Sequence, residues 1–327
     1  NALYKGGIRH FDTASLAEIA QVSDAFDDAH TYFMHPVKAR AVIKTAHRVY
    51  GVRHFVVDHR DELAKVFDEV GAAGNTIVVR VNTPPADDTL YHLAAKFGAA
   101  PDDAVELMKE AAAAGAAVGL SFHVGSQCCS PEAYVTALDL LGGVIAKAGV
   151  QPVCIDVGGG FPAAYGDRAV PALDAFMAAI RRGLKLLKLS PTVEVFAEPG
   201  RALVAQGCSL LTQVQLRKDN RLYINDGIYG SLSEMNAVAL RLPARLIRLS
   251  GPASDTTAEF ALNGPTCDSL DVLPGTFTLP EDVREGDWIE IDQVGAYSNA
   301  LATRFNGFYP ETFVQVFDAP PALVAAA

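Results

Sequence analysis

The chain has 327 residues, half of them apolar and 20% charged. That length and composition exclude a disordered segment and are enough for one large α/β unit or two domains. The formal net charge of −11, with no lysine- or arginine-rich block, argues against a nucleic-acid binder.

Residues 1–7, NALYKGG, read as the end of a helix closed by glycine, so the sequence opens in the middle of a strand–helix unit. Short apolar strands then follow at 10–14, 31–34, 54–58, 76–81, 117–124, 153–157 and 193–198. Helices separate them, for example at 15–28 and at 103–115, the latter with Asp102 or Asp103 as its cap. Helical returns make the strands parallel. Seven strands fall one short of a closed (β/α)8 barrel, so the expectation is a barrel over residues 1–205 whose first strand is absent from this sequence; an open doubly wound sheet is the rival.

Beyond residue 206 the texture changes. A pair of strands around Lys218-Asp219-Asn220 and further β segments in PARLIRLS, AEFALNG, DWIEIDQVG and ETFVQVF predict a mainly antiparallel β domain over 206–327. Five irregularly spaced cysteines point to reduced thiols and a cytoplasmic protein rather than a disulfide framework. No signal-peptide core or bilayer-length apolar run is evident, and no histidine–carboxylate set has metal-ligand spacing; a membrane partner and a metal are not expected.

The chemistry gathers at strand ends, where barrel sites lie. With one strand restored, VCIDV and VEVFAE become the seventh and eighth, whose following loops often hold phosphate. Gly158, Gly159 and Gly160 let backbone amides approach an anion; a plain tight turn is the alternative reading. Arg201 adds a cation from the next loop, or is a surface arginine. Glu198 requires a cationic or N–H partner, either a cofactor nitrogen or a loop ion pair. In SFHVGSQ, His123 faces the barrel mouth and Ser126 offers a hydroxyl. In the β domain, Cys267 beside Asp268 is either a positioned thiol acid or an inert thiol, and Tyr297 is either a hydroxyl donor or packing.

Taken together, FDTAS, KFG, SFHVGSQ, DVGGGFP, EPGR, NDGIYGS, GPTCDSLD and FNGF occur in an order that resembles the fold-III pyridoxal-phosphate decarboxylases of ornithine, lysine and diaminopimelate. The likeness spans nearly the whole chain. It implies an alanine-racemase-like (β/α)8 TIM barrel binding pyridoxal 5'-phosphate, a β domain completing the site, and a head-to-tail homodimer with shared active sites. By that resemblance, Gly158 to Gly160, Ser126, Arg201 and Tyr297 hold phosphate, His123 stacks on the ring, and Glu198 pairs with the ring nitrogen. Asp12 and Arg80 support the ring, while Cys267, as general acid, and Asp268 come from the partner subunit. Asp268, with Glu234 as an additional acid, favours a substrate with a distal ammonium, ornithine or lysine. The CES-type variant of the diaminopimelate enzymes is not present, and Glu198 argues against the related racemases, which pair the nitrogen with arginine. The family's cofactor-linking lysine sits in a motif ahead of FDTAS that this sequence does not contain, and Lys5 does not replace it. The expectation is a preceding segment that carries that lysine; a catalytically silent homologue acting as a binding or regulatory protein is the alternative.

Overall fold

The computed structural model describes residues 1–327 except 85, 87–88, 91–94, 167–168, 238–239 and 317–327. The chain forms two compact units, Asn1–Ala163 with Ala169–Ala202, and Ala164–Arg168 with the chain from Leu203 onward.

The first unit is a seven-stranded parallel sheet in sequential order: β1 (His10–Thr13), β2 (His30–Phe33), β3 (His54–Val57), β4 (Thr76–Arg80), β5 (Ala117–Ser121), β6 (Cys154–Asp156) and β7 (Glu194–Phe196). Every described neighbour pair is parallel, as the seven sequence strands predict, and β1 and β7 are the sheet's two edges. After the short α1 (Ala2–Lys5), helices α2 (Leu16–Ala25), α3 (Arg40–Tyr50), α4 (Arg60–Val70), α5 (Pro101–Ala113), α6 (Glu132–Ala148) and α7 (Leu173–Leu186) make the crossovers. This is an incomplete, curled (β/α)8-type barrel.

Alternation along the strands splits the core in two. Phe55, Val57, Ile77 and Val79 pack outward with Ile43, Leu63, Val66 and Met108 of the helices. Val56, Val78 and Cys154 form a small inward cluster with Met34 and Phe196. Strands buried on both faces read as continuous apolar runs, which is why HFVV and TIVV stand out in the sequence. One buried ion pair braces this unit: Lys38 Nζ lies 2.9 Å from Glu62 Oε1 and donates to the carbonyl of Val56 at 2.6 Å.

Local signals set the helix starts. Ser15 caps α2 by accepting the amide of Glu18, whose carboxylate returns to the amide of Ala14 at 2.7 Å. The cap of α5 differs from expectation. Pro101 occupies the first helical turn and Ala100 the cap position, so Asp102 and Asp103 sit inside the first turn, where they complement the positive helix end.

The second unit takes over within α8 (Arg201–Val204) and holds a six-stranded sheet ordered β10-β13-β8-β9-β11-β12. Its strands are β8 (Leu210–Lys218), β9 (Arg221–Ile224), β10 (Ala244–Ile247), β11 (Thr257–Asn263), β12 (Phe277–Pro280) and β13 (Trp288–Ile291), with α9 (Ser233–Ala237) inserted. All described pairs are antiparallel except β9–β11, and Asp219, at φ 51, makes the predicted β8–β9 turn. Val214, Leu222, Ile224, Phe260, Leu262, Ile289 and Ile291 form its core. Two expectations change. Strand β12 was not foreseen, and the predicted strand at ETFVQVF carries no strand over residues 311–316, Phe317 lying outside the described residues.

Candidate active site

Register brings the predicted barrel residues together at the carboxyl ends of the strands. Asp12 lies in β1, Arg80 ends β4, His123 and Ser126 follow β5, the glycines follow β6, and Glu198 and Arg201 follow β7. The structure explains all three glycines. A Cβ on Gly158 would lie 2.0 Å from the Phe122 carbonyl oxygen, on Gly159 2.6 Å from the Glu198 oxygen, and on Gly160 2.4 Å from the Gly125 oxygen. Gly158 and Gly160 also have φ of 66° and 105°, which side chains rarely adopt. The turn is therefore pressed against the loops after β5 and β7, more than a simple turn demands. Its carbonyls accept from the amides of Glu198 and Cys128 and from the hydroxyl of Tyr134, which fixes its orientation.

Beside the turn, Arg201, itself buried, donates to Ser126 Oγ at 3.2 Å. His123 lies against Gly159: its Nε2 would be 3.1 Å from a Cβ there. The amide of Gly125 donates to His123 Nδ1 at 3.0 Å, so the imidazole is neutral with its proton on Nε2. Burial, then Arg80, pushes its pKa down to about 4, which keeps it neutral across physiological pH.

The opposite side of the mouth is acidic. Asp156, which ends β6, is hydrogen-bonded to Glu198 and accepts the amide of Gly158 at 2.8 Å. Burial first, then Asp156 and Asp12, holds the Glu198 carboxyl well above the usual carboxylate range. Burial, then Asp156, raises Asp12 to about 7, while Arg80 opposes the rise. Asp12, Asp156 and Glu198 line a cavity of about 290 Å³ that runs on past Tyr32, His54 and Phe196. Three close carboxyls with one arginine among them favour a bound cation or N–H donor, which would let a proton leave. Asp156 was not singled out from the sequence, although its signal was present as an ionisable residue ending an apolar strand before glycine.

The four remaining candidates belong to the second unit and form two groups. Cys267 is exposed, its amide and thiol both donating to Asn306 Oδ1 at 3.2 and 3.3 Å. Asp268 accepts the hydroxyl of Tyr229 at 2.5 Å and the amide of Leu270 at 3.0 Å, and the Tyr229 bond holds its pKa low. Glu234, buried in α9, and Tyr297, at φ 53 and half exposed, line a separate small recess with Gln293 and Tyr165. Asp271, buried, joins the loops by accepting the amides of Ile228 and Thr266. Tyr229, Asn306 and Asp271 were hidden in the motifs NDGIYGS, FNGF and GPTCDSLD without a role of their own.

Among the described residues no group of three histidine, cysteine, aspartate or glutamate side chains is placed to hold a metal ion, and no helix is long and apolar enough to cross a membrane.

Comparison with known proteins gives the same residues a setting. Residues 1–205 match the family described as pyridoxal-dependent decarboxylase, pyridoxal binding domain. The lysine/ornithine decarboxylase of Selenomonas ruminantium is 34% identical over 309 residues, 92% of this chain and 76% of that protein. Among solved structures, the arginine decarboxylase of Paramecium bursaria Chlorella virus is 29% identical with a TM-score of 0.81, covering 92% of this chain and 82% of that one. A lysine/ornithine decarboxylase of Vibrio vulnificus complexed with cadaverine is 34% identical with a TM-score of 0.77, covering 94% and 80%.

Proposed function

The chain belongs to the pyridoxal-dependent decarboxylases, and on that premise we propose that it removes the α-carboxylate of ornithine or lysine, giving putrescine or cadaverine and carbon dioxide. Its cofactor is pyridoxal phosphate and its substrate class is the basic amino acids. One observation carries the reading: the glycine turn, the neutral His123 and the backbone of Glu198 converge so closely that a single methyl on Gly159 would meet both the His123 ring nitrogen and the Glu198 carbonyl.

The residues present fit the cofactor. The cramped glycine turn, Ser126 and Arg201 suit its phosphate, the flat neutral His123 suits a ring face, and Glu198 suits the ring nitrogen. When bound, the cofactor supplies an electron sink for the bond between the α-carbon and the carboxylate. Glu198 then holds a proton at the ring nitrogen, and Asp156 steadies Glu198. Arg80 offsets the acidic cluster around Asp12. Cys267 donates a proton to the α-carbon as general acid, and Asp268 accepts the substrate's distal ammonium, both supplied by the partner subunit of a homodimer. A buried Glu234 serves as a further acid toward that ammonium, and Tyr297 as a phosphate donor.

The names of the relatives support ornithine and lysine, and the viral structure brings arginine into the same comparison. The deciding assay measures carbon dioxide release from ornithine, lysine, arginine and meso-diaminopimelate by the pyridoxal-phosphate-loaded protein carrying the cofactor-linking lysine. Ornithine or lysine is expected to be turned over fastest. Preference for meso-diaminopimelate would reject the substrate assignment, and no release from any of the four would reject the activity.

A further inference from the structure

We propose that Asn306 is a positioning residue for Cys267, its side-chain oxygen fixing both the backbone and the thiol hydrogen of the residue that delivers the proton. This deepens the proposed function and rests on it.

Asn306 Oδ1 lies 3.2 Å from the amide nitrogen of Cys267 and 3.3 Å from its sulfur. A backbone N–H can only donate, so the atom it meets must be the amide oxygen and not the nitrogen. The thiol facing the same oxygen must then donate as well. Its hydrogen has a fixed direction instead of rotating freely.

The backbone is shaped for this contact. Asn306 sits at φ 53, ψ 13, the left-handed region that asparagine tolerates better than most residues, and Gly307 follows at φ 81. The turn is anchored by the residues just ahead of Asn306. The amide and hydroxyl of Thr303 donate to the Tyr229 carbonyl at 2.8 and 3.1 Å, and the Phe305 ring packs on Tyr229 at 4.9 Å. Tyr229 in turn donates its hydroxyl to Asp268, the neighbour of Cys267. Three loops thus form a closed ring whose last link is the Asn306–Cys267 contact. Cys267 is also the exposed one of the five free cysteines, so its environment is open to chemical probing.

The test compares the loaded wild type with Asn306→Gly, which keeps the left-handed backbone but removes the acceptor, and Asn306→Asp, which keeps an acceptor oxygen. Two quantities are read: the rate of Cys267 alkylation by iodoacetamide, located by peptide mass, and the fraction of turnovers that protonate the cofactor instead of the α-carbon and leave it aminated. Asn306→Gly is expected to change the alkylation rate at least threefold and raise the aminated fraction at least fivefold, and Asn306→Asp to restore the fraction to within twofold of wild type. Wild-type values of both in Asn306→Gly would overturn the proposal, as would a raised aminated fraction in Asn306→Asp equal to that of Asn306→Gly. Cys267→Ala separates the proposal from its parent. A raised fraction in Cys267→Ala with none in Asn306→Gly removes Asn306 alone, whereas an unchanged fraction in Cys267→Ala removes the thiol from the reaction and the positioning role with it.

Discussion

The carboxyls of Asp156, buried, and Glu198, half-buried, are hydrogen-bonded to each other inside the barrel mouth. The contact follows from the register of β6 and β7, which sets Asp156 beside Phe196, two residues ahead of Glu198. Two carboxyls so close cannot both ionise at ordinary cost, so one proton is shared between them. Asp156 also accepts the Gly158 amide, tying the acid proposed for the ring nitrogen to the turn proposed for the phosphate.

Glu198→Ala removes the acid proposed for the ring nitrogen. Its kcat is expected to fall about 100- to 1000-fold, the range for losing one preorganised electrostatic contact, with KM changed far less. Unchanged turnover in pre-steady-state and steady-state assays would contradict the role.

Asp156→Asn keeps the shape of the side chain but not its charge. A milder fall in kcat, about tenfold, is expected, together with weaker cofactor binding measured by titration against the cofactor-free protein. An effect as large as that of Glu198→Ala would make Asp156 the principal acid.

Gly159→Ala places a methyl 2.6 Å from the Glu198 carbonyl oxygen and 3.1 Å from His123 Nε2. Because backbone must move, the dissociation constant for pyridoxal phosphate is expected to rise at least ~10-fold, or about 1.4 kcal/mol. The thermal midpoint of the cofactor-free protein should fall as well. Wild-type affinity would show that the turn is more accommodating than its packing indicates.

Asp12 gives a pH signature. Its carboxyl is raised from 3.8 to about 7, so the folded state holds a proton there that the unfolded state has released. The fold loses stability through this group as pH climbs from about 4 to 7, and the loss stays complete above that window. Because Asp12 is exposed on the edge strand β1, solvent screens much of this penalty; Asp12→Asn should therefore stabilise the cofactor-free protein modestly at pH 8, and by less at pH 5, in urea unfolding. Equal gains at both pH values would refute the assignment.

Glu62→Ala leaves the fully buried Lys38 ammonium without its carboxylate, though it still meets the carbonyls of His35 and Val56. A loss of roughly 3 kcal/mol is expected, at the low end for breaking a buried pair. A urea midpoint within error of wild type would show that those carbonyls suffice.

The parallel half of the fold was legible because strands buried on two faces make unbroken apolar runs, and the glycine, histidine and glutamate at their ends mark where the mouth lies. What escaped was tertiary. Nothing in VCIDV says that Asp156 reaches Glu198, since the two meet only through sheet register. Asn306 and Tyr229 were unreadable for the same reason, because their partners lie 39 residues away in the chain. The four residues of β12 end in proline and are too few to show alternation, whereas ETFVQVF alternates well over a stretch where residues 311–316 form no ladder. Pattern reports the capacity to pair, and pairing needs a neighbour.

The seam between the glycine turn and its flanking loops bears on redesign. Three peptide carbonyls from Phe122, Gly125 and Glu198 fill the space that side chains would need, so this wall of the pocket has almost no room for new chemistry. Attempts to retarget the protein to other amino acids should leave that wall alone.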